Sequence, residues 1–191
     1  NQDNDLPFLE EFIDDKICVV AGSTWLEDEE VLLPFLKKAD KSIKFIIVPH
    51  AVTKQGITRL KETFGAMAVL FSKYRQASLS EKQVFIVDTV GLLAKIYSYA
   101  DIAYVGGGMG TNGLHNTLEA AVFGIPIVIG KNYEKFPEAK EMLQRGGLMS
   151  IKDQKTLEAA LHKLIENKDY RKKCGEKNKI YIEDNKGATA T

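Results

Sequence analysis

An excess of charge of either sign is missing from this sequence: 26 Lys and Arg balance 26 Asp and Glu, for a formal net charge of zero. The basic footprint of a general nucleic-acid binder is therefore absent, and only a local basic patch is left open. Cysteine is scarce. Neither of the two, Cys18 and Cys174, sits in a CxxC or beside histidine, which argues against a metal site. Two isolated cysteines fit a reducing compartment, and Cys18, inside an apolar run, is expected in the core. No apolar run is long enough to span a bilayer, and no signal-peptide pattern is visible. Repeats, low-complexity tracts and linkers are lacking too. The 191 residues therefore read as one domain with ordinary soluble composition, 45% hydrophobic and 27% charged. Asn1–Asp5 reads as a polar lead-in and Gly187–Thr191 as a fraying tail. The first residue is Asn1 rather than Met, so the chain is read as a piece of a longer protein whose other half could carry part of an active site.

What is present is an alternation of β-rich apolar runs with helical patterns. Strands are predicted at Ile17–Ala21, Ile43–Val48, Met67–Phe71, Val84–Val87, Ile102–Val105, Ile125–Ile129 and Leu148–Ile151. Between and after them, helical spacing marks Asp28–Lys38, Thr53–Phe64, Leu92–Tyr99, Leu114–Phe123, Pro137–Gln144, Thr156–Asn167 and Tyr170–Glu183. Gly146 and Gly147 suit a helix C-cap. Such βαβα order predicts an α/β domain: a Rossmann-like parallel sheet with helices on both faces. Ligands of such sheets bind beyond the carboxyl ends of the strands. Four strand ends here carry unusual residues: Gly22-Ser23-Thr24, Pro49-His50, Asp88-Thr89 and Gly106–Gly108.

The richest stretch runs from Tyr104 to Glu119. A strand feeds Gly106, Gly107, Gly108, Gly110 and Gly113, and then His115-Asn116-Thr117-Leu118-Glu119. Glycines let backbone N–H groups approach a phosphate, and a helix N-terminus adds unpaired donors. On a helix beginning near Leu114, His115, Asn116 and Glu119 would share one face. The competing reading is a glycine turn needed for packing, with Asn116 as a helix cap. No Gly-Lys-Ser/Thr follows, so this is not a Walker A loop, and the loop does not follow the first strand as a dinucleotide fingerprint would. Ser23 and Thr24 either hold a phosphate or sugar carboxylate, or else Thr24 or Asp28 caps the next helix. His50 either hydrogen-bonds a bound sugar or is a buried structural histidine. Asp88 is a candidate nucleotide contact, while Thr89 is read first as a helix cap. Tyr97 and Tyr99 are read as core or groove lining, Glu27–Glu30 as a solvated helix start, and His162 as surface.

At these residues the chain resembles the C-terminal half of the 3-deoxy-D-manno-octulosonic acid (Kdo) transferases. That family shows Asp-Thr-x-Gly, then Tyr, Ala-Asp, Gly-Gly and His-Asn-x-x-Glu. The counterparts here are Asp88-Thr89-Val90-Gly91, Tyr97, Ala100-Asp101, Gly106-Gly107 and His115-Asn116-Thr117-Leu118-Glu119. Gly22-Ser23-Thr24-Trp25 with Glu29-Glu30 resembles the family's first donor-domain motif, and the similarity runs from about Leu6 to about Gly147. The resemblance implies one half of a two-domain GT-B type glycosyltransferase. This half would bind CMP-Kdo, with Ser23, Thr24, His50, Asp88, Thr89, Gly106, Gly107, Gly108, Gly113, His115, Asn116 and Glu119 as donor-site candidates. The acceptor, a lipid A precursor in lipopolysaccharide biosynthesis, the catalytic base and any membrane attachment would belong to the absent N-terminal half. The full protein would work at the cytoplasmic face of the bacterial inner membrane, the isolated domain would be inactive, and neither metal nor nucleic acid is implied.

Departures from the family pattern bear on how the Kdo carboxylate is held. No Arg adjoins His50, Gly108 stands where Ser is common, Leu114 replaces the second Gly of Gly-Gly-His-Asn, and Leu92 replaces a frequent Glu. Two alternatives stay open: a UDP-sugar transferase or epimerase of the same architecture, and a non-catalytic nucleotide-binding module.

Overall fold

The computed structural model describes residues 3–188. Seven strands form a single parallel sheet: β1 (Ile17–Thr24), β2 (Ile43–Pro49), β3 (Ala68–Leu70), β4 (Val84–Ile86), β5 (Ile102–Val105), β6 (Ile127–Ile129) and β7 (Leu148–Ser150). Their spatial order is β3-β4-β2-β1-β5-β6-β7. The first four strands build one side of β1, after which the chain crosses over and adds β5 to β7 on the other. The topological switch point is therefore the β1–β5 pair.

Parallel strands covered on both faces read as near-continuous apolar runs, and these do. Along β1, Cys18 and Val20 enter one core while Val19 and Ala21 enter the other. The first core is roofed by α1 (Pro7–Ile13), α4 (Leu93–Ile96), α5 (Leu118–Ala121), α6 (Pro137–Arg145) and the end of α8 (Lys168–Ala188). The second is covered by α2 (Leu26–Lys38), α3 (Lys54–Phe64) and α7 (Gln154–Glu166). The doubly covered α/β class read from the sequence is thus the observed one, and Cys18 is fully buried as expected.

Three local readings change. The stretch at Pro7–Ile13, which the strand-and-helix pattern passed over, is a helix with Pro at its start, and its buried Leu9 and Phe12 dock on the sheet. The helix predicted over Leu114–Phe123 shrinks to the single turn Leu118–Ala121. Gly113 adopts φ +96°, and the Asn116 Oδ1 accepts the Leu118 N–H at 2.9 Å, an Asx turn that replaces helical bonding until residue 118. Finally, Gly187 and Ala188 continue α8 rather than fray; the remainder of that tail and Asn1–Gln2 of the lead-in lie outside the described residues.

Gly146 closes α6 in the left-handed conformation at φ +91°, as the sequence suggested. α8 then clamps the far side of the sheet. Its buried Asn178 donates through Nδ2 to the Ile125 and Gly147 carbonyls, both at 2.8 Å. One turn earlier, Gly175 lies so close to Gly124 that a Cβ there would sit 2.1 Å from the Gly124 carbonyl oxygen. Helix propensity alone would make Gly175→Ala stabilising by about 1 kcal/mol. The backbone contact reverses that sign. Gly175→Ala is expected to destabilise by about 1–3 kcal/mol in urea unfolding, whereas Gly187→Ala, with no atom within 4 Å of the new methyl, leaves the midpoint unchanged or slightly raised.

Candidate functional site

Beyond the carboxyl end of β1 three rings gather. Trp25 follows β1 directly, His50 follows β2, and His115 lies in the loop after β5. The Trp25 and His50 rings stack at 4.2 Å and 21°, and His50 meets His115 at 4.5 Å. His50 is exposed, so it is not the buried structural histidine of the competing reading. His115 is half-buried. Burial first and the neighbouring His50 second hold its pKa below the ordinary imidazole value, with Asp28 pulling the other way.

The residue that organises this cluster is Asp28, and the sequence reading misplaced it. Glu27–Glu30 was expected to be a solvated helix start; instead Asp28 and Glu29 are buried, with Asp28 0% exposed. The Asp28 carboxylate accepts three hydrogen bonds: from the Trp25 N–H at 2.8 Å, the Tyr104 hydroxyl at 2.6 Å and the Gly107 N–H at 2.9 Å. It ties the start of α2, the end of β5 and the glycine loop into one unit. The helix-start position was legible, since an acidic third residue caps the N-terminus. Its two distant partners were not.

Glu29 faces a different network. It accepts from the Thr24 hydroxyl at 3.2 Å and pairs with Arg59. Burial raises the Glu29 pKa, and Arg59 opposes that rise. Thr24 is therefore buried with its hydroxyl turned inward, and the turn into α2 is capped by Asp28 rather than by Thr24. Ser23, half-buried beside it, occupies a bulge in β1 with φ +53°, a left-handed conformation that non-glycine residues seldom adopt. Its carbonyl presses against β5's exit: a Cβ on Gly106 would sit 2.2 Å from the Ser23 oxygen.

The glycines thus have a packing reason. Gly106, Gly107 and Gly108 are buried; a Cβ on Gly107 would come within 2.1 Å of the Gly113 oxygen. The Gly106 N–H donates to the Gly22 carbonyl and the Gly107 N–H to Asp28, so both donors are directed inward. These glycines shape the loop, while its outer part, from Met109 to Asn116, offers surface to a ligand. Asn116 and Glu119 are exposed at its end. Because His115 and Asn116 precede α5, the shared helical face with Glu119 does not exist; the Asx turn at 116–118 lies between them and Glu119. Glu119 lies close enough to the buried Tyr97 to help raise that phenol's pKa, after burial itself. Tyr97 is core, and its hydroxyl fills the space that a side chain on Gly22 would need.

Asp88 follows β4, the strand that pairs in parallel with β2, which leads to His50. The two Asp88 oxygens accept from the Ser72 N–H and hydroxyl at 2.8 and 2.5 Å, bracing the segment after β3. Thr89 does not cap α4, which begins after Leu92 without a side-chain cap. His162 is surface, as read, pairing with Glu166.

The strand order and the ring cluster at the switch point place this chain among Rossmann-like α/β proteins. More narrowly, it belongs to the group 1 glycosyl transferases, whose family model matches residues 68–180. It is 27% identical to the 3-deoxy-D-manno-octulosonic acid transferase of Chlamydophila psittaci over 176 residues, covering 91% of this chain and 40% of that protein. To the transferase of the same name from Aquifex aeolicus it is 32% identical over 152 residues, covering 77% and 41%. The chain therefore spans about 40% of the length of these curated relatives. Its fold matches the C-terminal CMP-Kdo binding domain of WaaA from Acinetobacter baumannii with a TM-score of 0.76 at 22% identity, covering 91% of this chain and 93% of that one.

Two outcomes follow from the geometry. Asp28→Asn replaces a three-bond acceptor by a group that must aim an amide at one of three donors. A loss of about 2–3 kcal/mol is expected in denaturant unfolding. Trp25, the only tryptophan, should report the loosened loop as a change in fluorescence. The His115 shift has a definite sign: the folded imidazole binds its proton more weakly than the unfolded one. Stability is therefore full above the unfolded value near 6.5 and falls as pH drops from there through the lower folded value. His115→Gln should flatten that acid-side loss, measured as the unfolding midpoint between about pH 7.5 and 5.

Proposed function

We propose that this chain is the donor-binding domain of a Kdo transferase, holding CMP-Kdo for transfer to a lipid A precursor in lipopolysaccharide biosynthesis. The observation that carries the reading is the ring cluster Trp25, His50 and His115 beside exposed Asn116 and Glu119 at the sheet's switch point, where Rossmann-like folds take nucleotides. The relatives named Kdo transferase, matched along most of this chain, select the sugar.

In this reading the outer glycine loop and the uncharged His115 ring donate to the CMP phosphate. They stabilise the negative charge that gathers on it as the bond from Kdo C2 to the phosphate oxygen breaks. Glu119 accepts from the ribose hydroxyls, Asn116 lies beside it, and His50 flanks the sugar. The acceptor hydroxyl, deprotonated by a base from an N-terminal half, attacks C2 from the opposite face. Donor binding needs no metal. The acceptor and the attachment to the cytoplasmic face of the inner membrane belong to that other half; among the described residues no helix is long and apolar enough to cross a membrane.

Calorimetric titration tests this reading. CMP is expected to bind more tightly than UMP or AMP, with or without a chelator. Glu119→Gln should weaken CMP by about ten- to a hundred-fold, the worth of a charged hydrogen bond, and should weaken 2′,3′-dideoxy-CMP far less. A preference for UMP would point to a UDP-sugar enzyme, and loss of binding in chelator would overturn the metal-free reading. Equal losses for both ligands would remove Glu119 from the ribose.

A further inference from the structure

On the other flank of the glycine loop lies a cleft of about 440 Å³ that the ring cluster does not use. One wall is the outer loop, with Gly110, Thr111 and Gly113; the other is the segment after β6, with Lys131, Asn132 and Lys135, closed by Phe136 at the start of α6. The two walls are tied together. Asn132 donates its backbone N–H to the Gly108 carbonyl at 2.8 Å and its Nδ2 to the Gly110 carbonyl at 2.8 Å. Gly108 and Gly130 are packed backbone to backbone beneath them, a Cβ on Gly130 falling 2.3 Å from the Gly108 carbonyl carbon. The cleft is therefore a set feature of the strand ends.

Its charge is unspent. Lys131 and Lys135 are exposed, and neither has an ion-pair or hydrogen-bond partner among the described residues. Glu134, on the same rim, is also unpaired, so the cleft carries two cations against one anion. Gly113 ends the cleft's wall two residues before His115, so a group bound here would be contiguous with one held by the ring cluster. Beside His50 the cation is Arg59, which lines the pocket of Trp25, Pro49 and Ala51 but is engaged by Glu29, whereas Lys131 and Lys135 have no such partner among the described residues.

We propose that the Lys131–Lys135 cleft is the subsite for the carboxylate of the donor sugar acid. The assignment rests on the donor being a CMP-linked sugar acid. Two ammonium groups on one wall receive the carboxylate, the Thr111 hydroxyl on the opposite wall is within the cleft for the sugar, and Phe136 supplies an apolar end. Repulsion by Glu134 disfavours a second negative charge, so a monoanionic carboxylate suits the cleft better than a phosphate dianion.

The test separates the two claims. Free Kdo, its methyl ester and inorganic phosphate are titrated into CMP-saturated chain, for the wild type and for the Lys131→Gln/Lys135→Gln pair. The wild type is expected to bind the acid at least about tenfold more tightly than the ester, a discrimination of the size of one charged hydrogen bond. The double variant should lose that discrimination while keeping wild-type CMP affinity and unfolding midpoint. A variant that still prefers the acid, a wild type that does not, or phosphate that competes as well as Kdo each overturns the subsite. Absence of CMP binding in the wild type would instead strike the donor reading itself.

Discussion

A buried carboxylate with no counter-cation beside it is costly unless hydrogen bonds replace its water. Asp28 meets that condition by accepting from three donors on three different segments. The consequence reaches well beyond α2. The Trp25 backbone is fixed because its N–H is one of the donors, and His50 stacks on the indole that this backbone carries. Gly107 is fixed because its N–H is another, and with it the exit of the loop that carries His115. Were Asp28 to swing out, the rings at the switch point would lose their common frame.

The strand ends around this anchor are packed backbone against backbone. Gly106 touches Ser23, Gly107 touches Gly113, and Gly130 touches Gly108. Such proximity excludes side chains from the floor of the site and leaves rings and ammonium groups to line its rim. It also accounts for the backbone at Ser23: a left-handed serine in a bulge is a strained choice, tolerated where neighbouring segments leave the chain no other path. The glycines do two tasks at once, closing the packing below and opening the approach above.

Seen this way, the site has two flanks around one loop. The ring cluster and Glu119 lie toward β2 and α4, and the lysine cleft lies toward β6 and α6. Buried Thr24 and Glu29, with the exposed Arg59 that pairs with Glu29, brace α2 against α3.

The parallel, doubly covered sheet was legible from residue order alone, because strands buried on both faces must be apolar along their whole length and helices between them must show one apolar stripe. His50 and His115 stood out as candidates on the same ground: polar residues beyond the carboxyl ends of such strands break the apolar run. Local hydrogen bonding already exceeded what periodicity could say, since the Asx turn of Asn116 cut short a helix that the apolar spacing of Leu114, Leu118 and Ala121 favoured. What only the tertiary structure decided was which polar groups satisfy one another. Asp28 looks like any acidic residue at a helix start until Tyr104 and Gly107, 76 and 79 residues away, arrive to donate to it. Thr24 looks like a cap until burial turns it toward Glu29, and that Asp88 also braces Ser72 through both its oxygens is not written in the order of the residues. Periodicity records burial, which each residue carries in its own chemistry; hydrogen-bond partnership belongs to pairs, and the pairs here exist only once the sheet has brought their strands side by side.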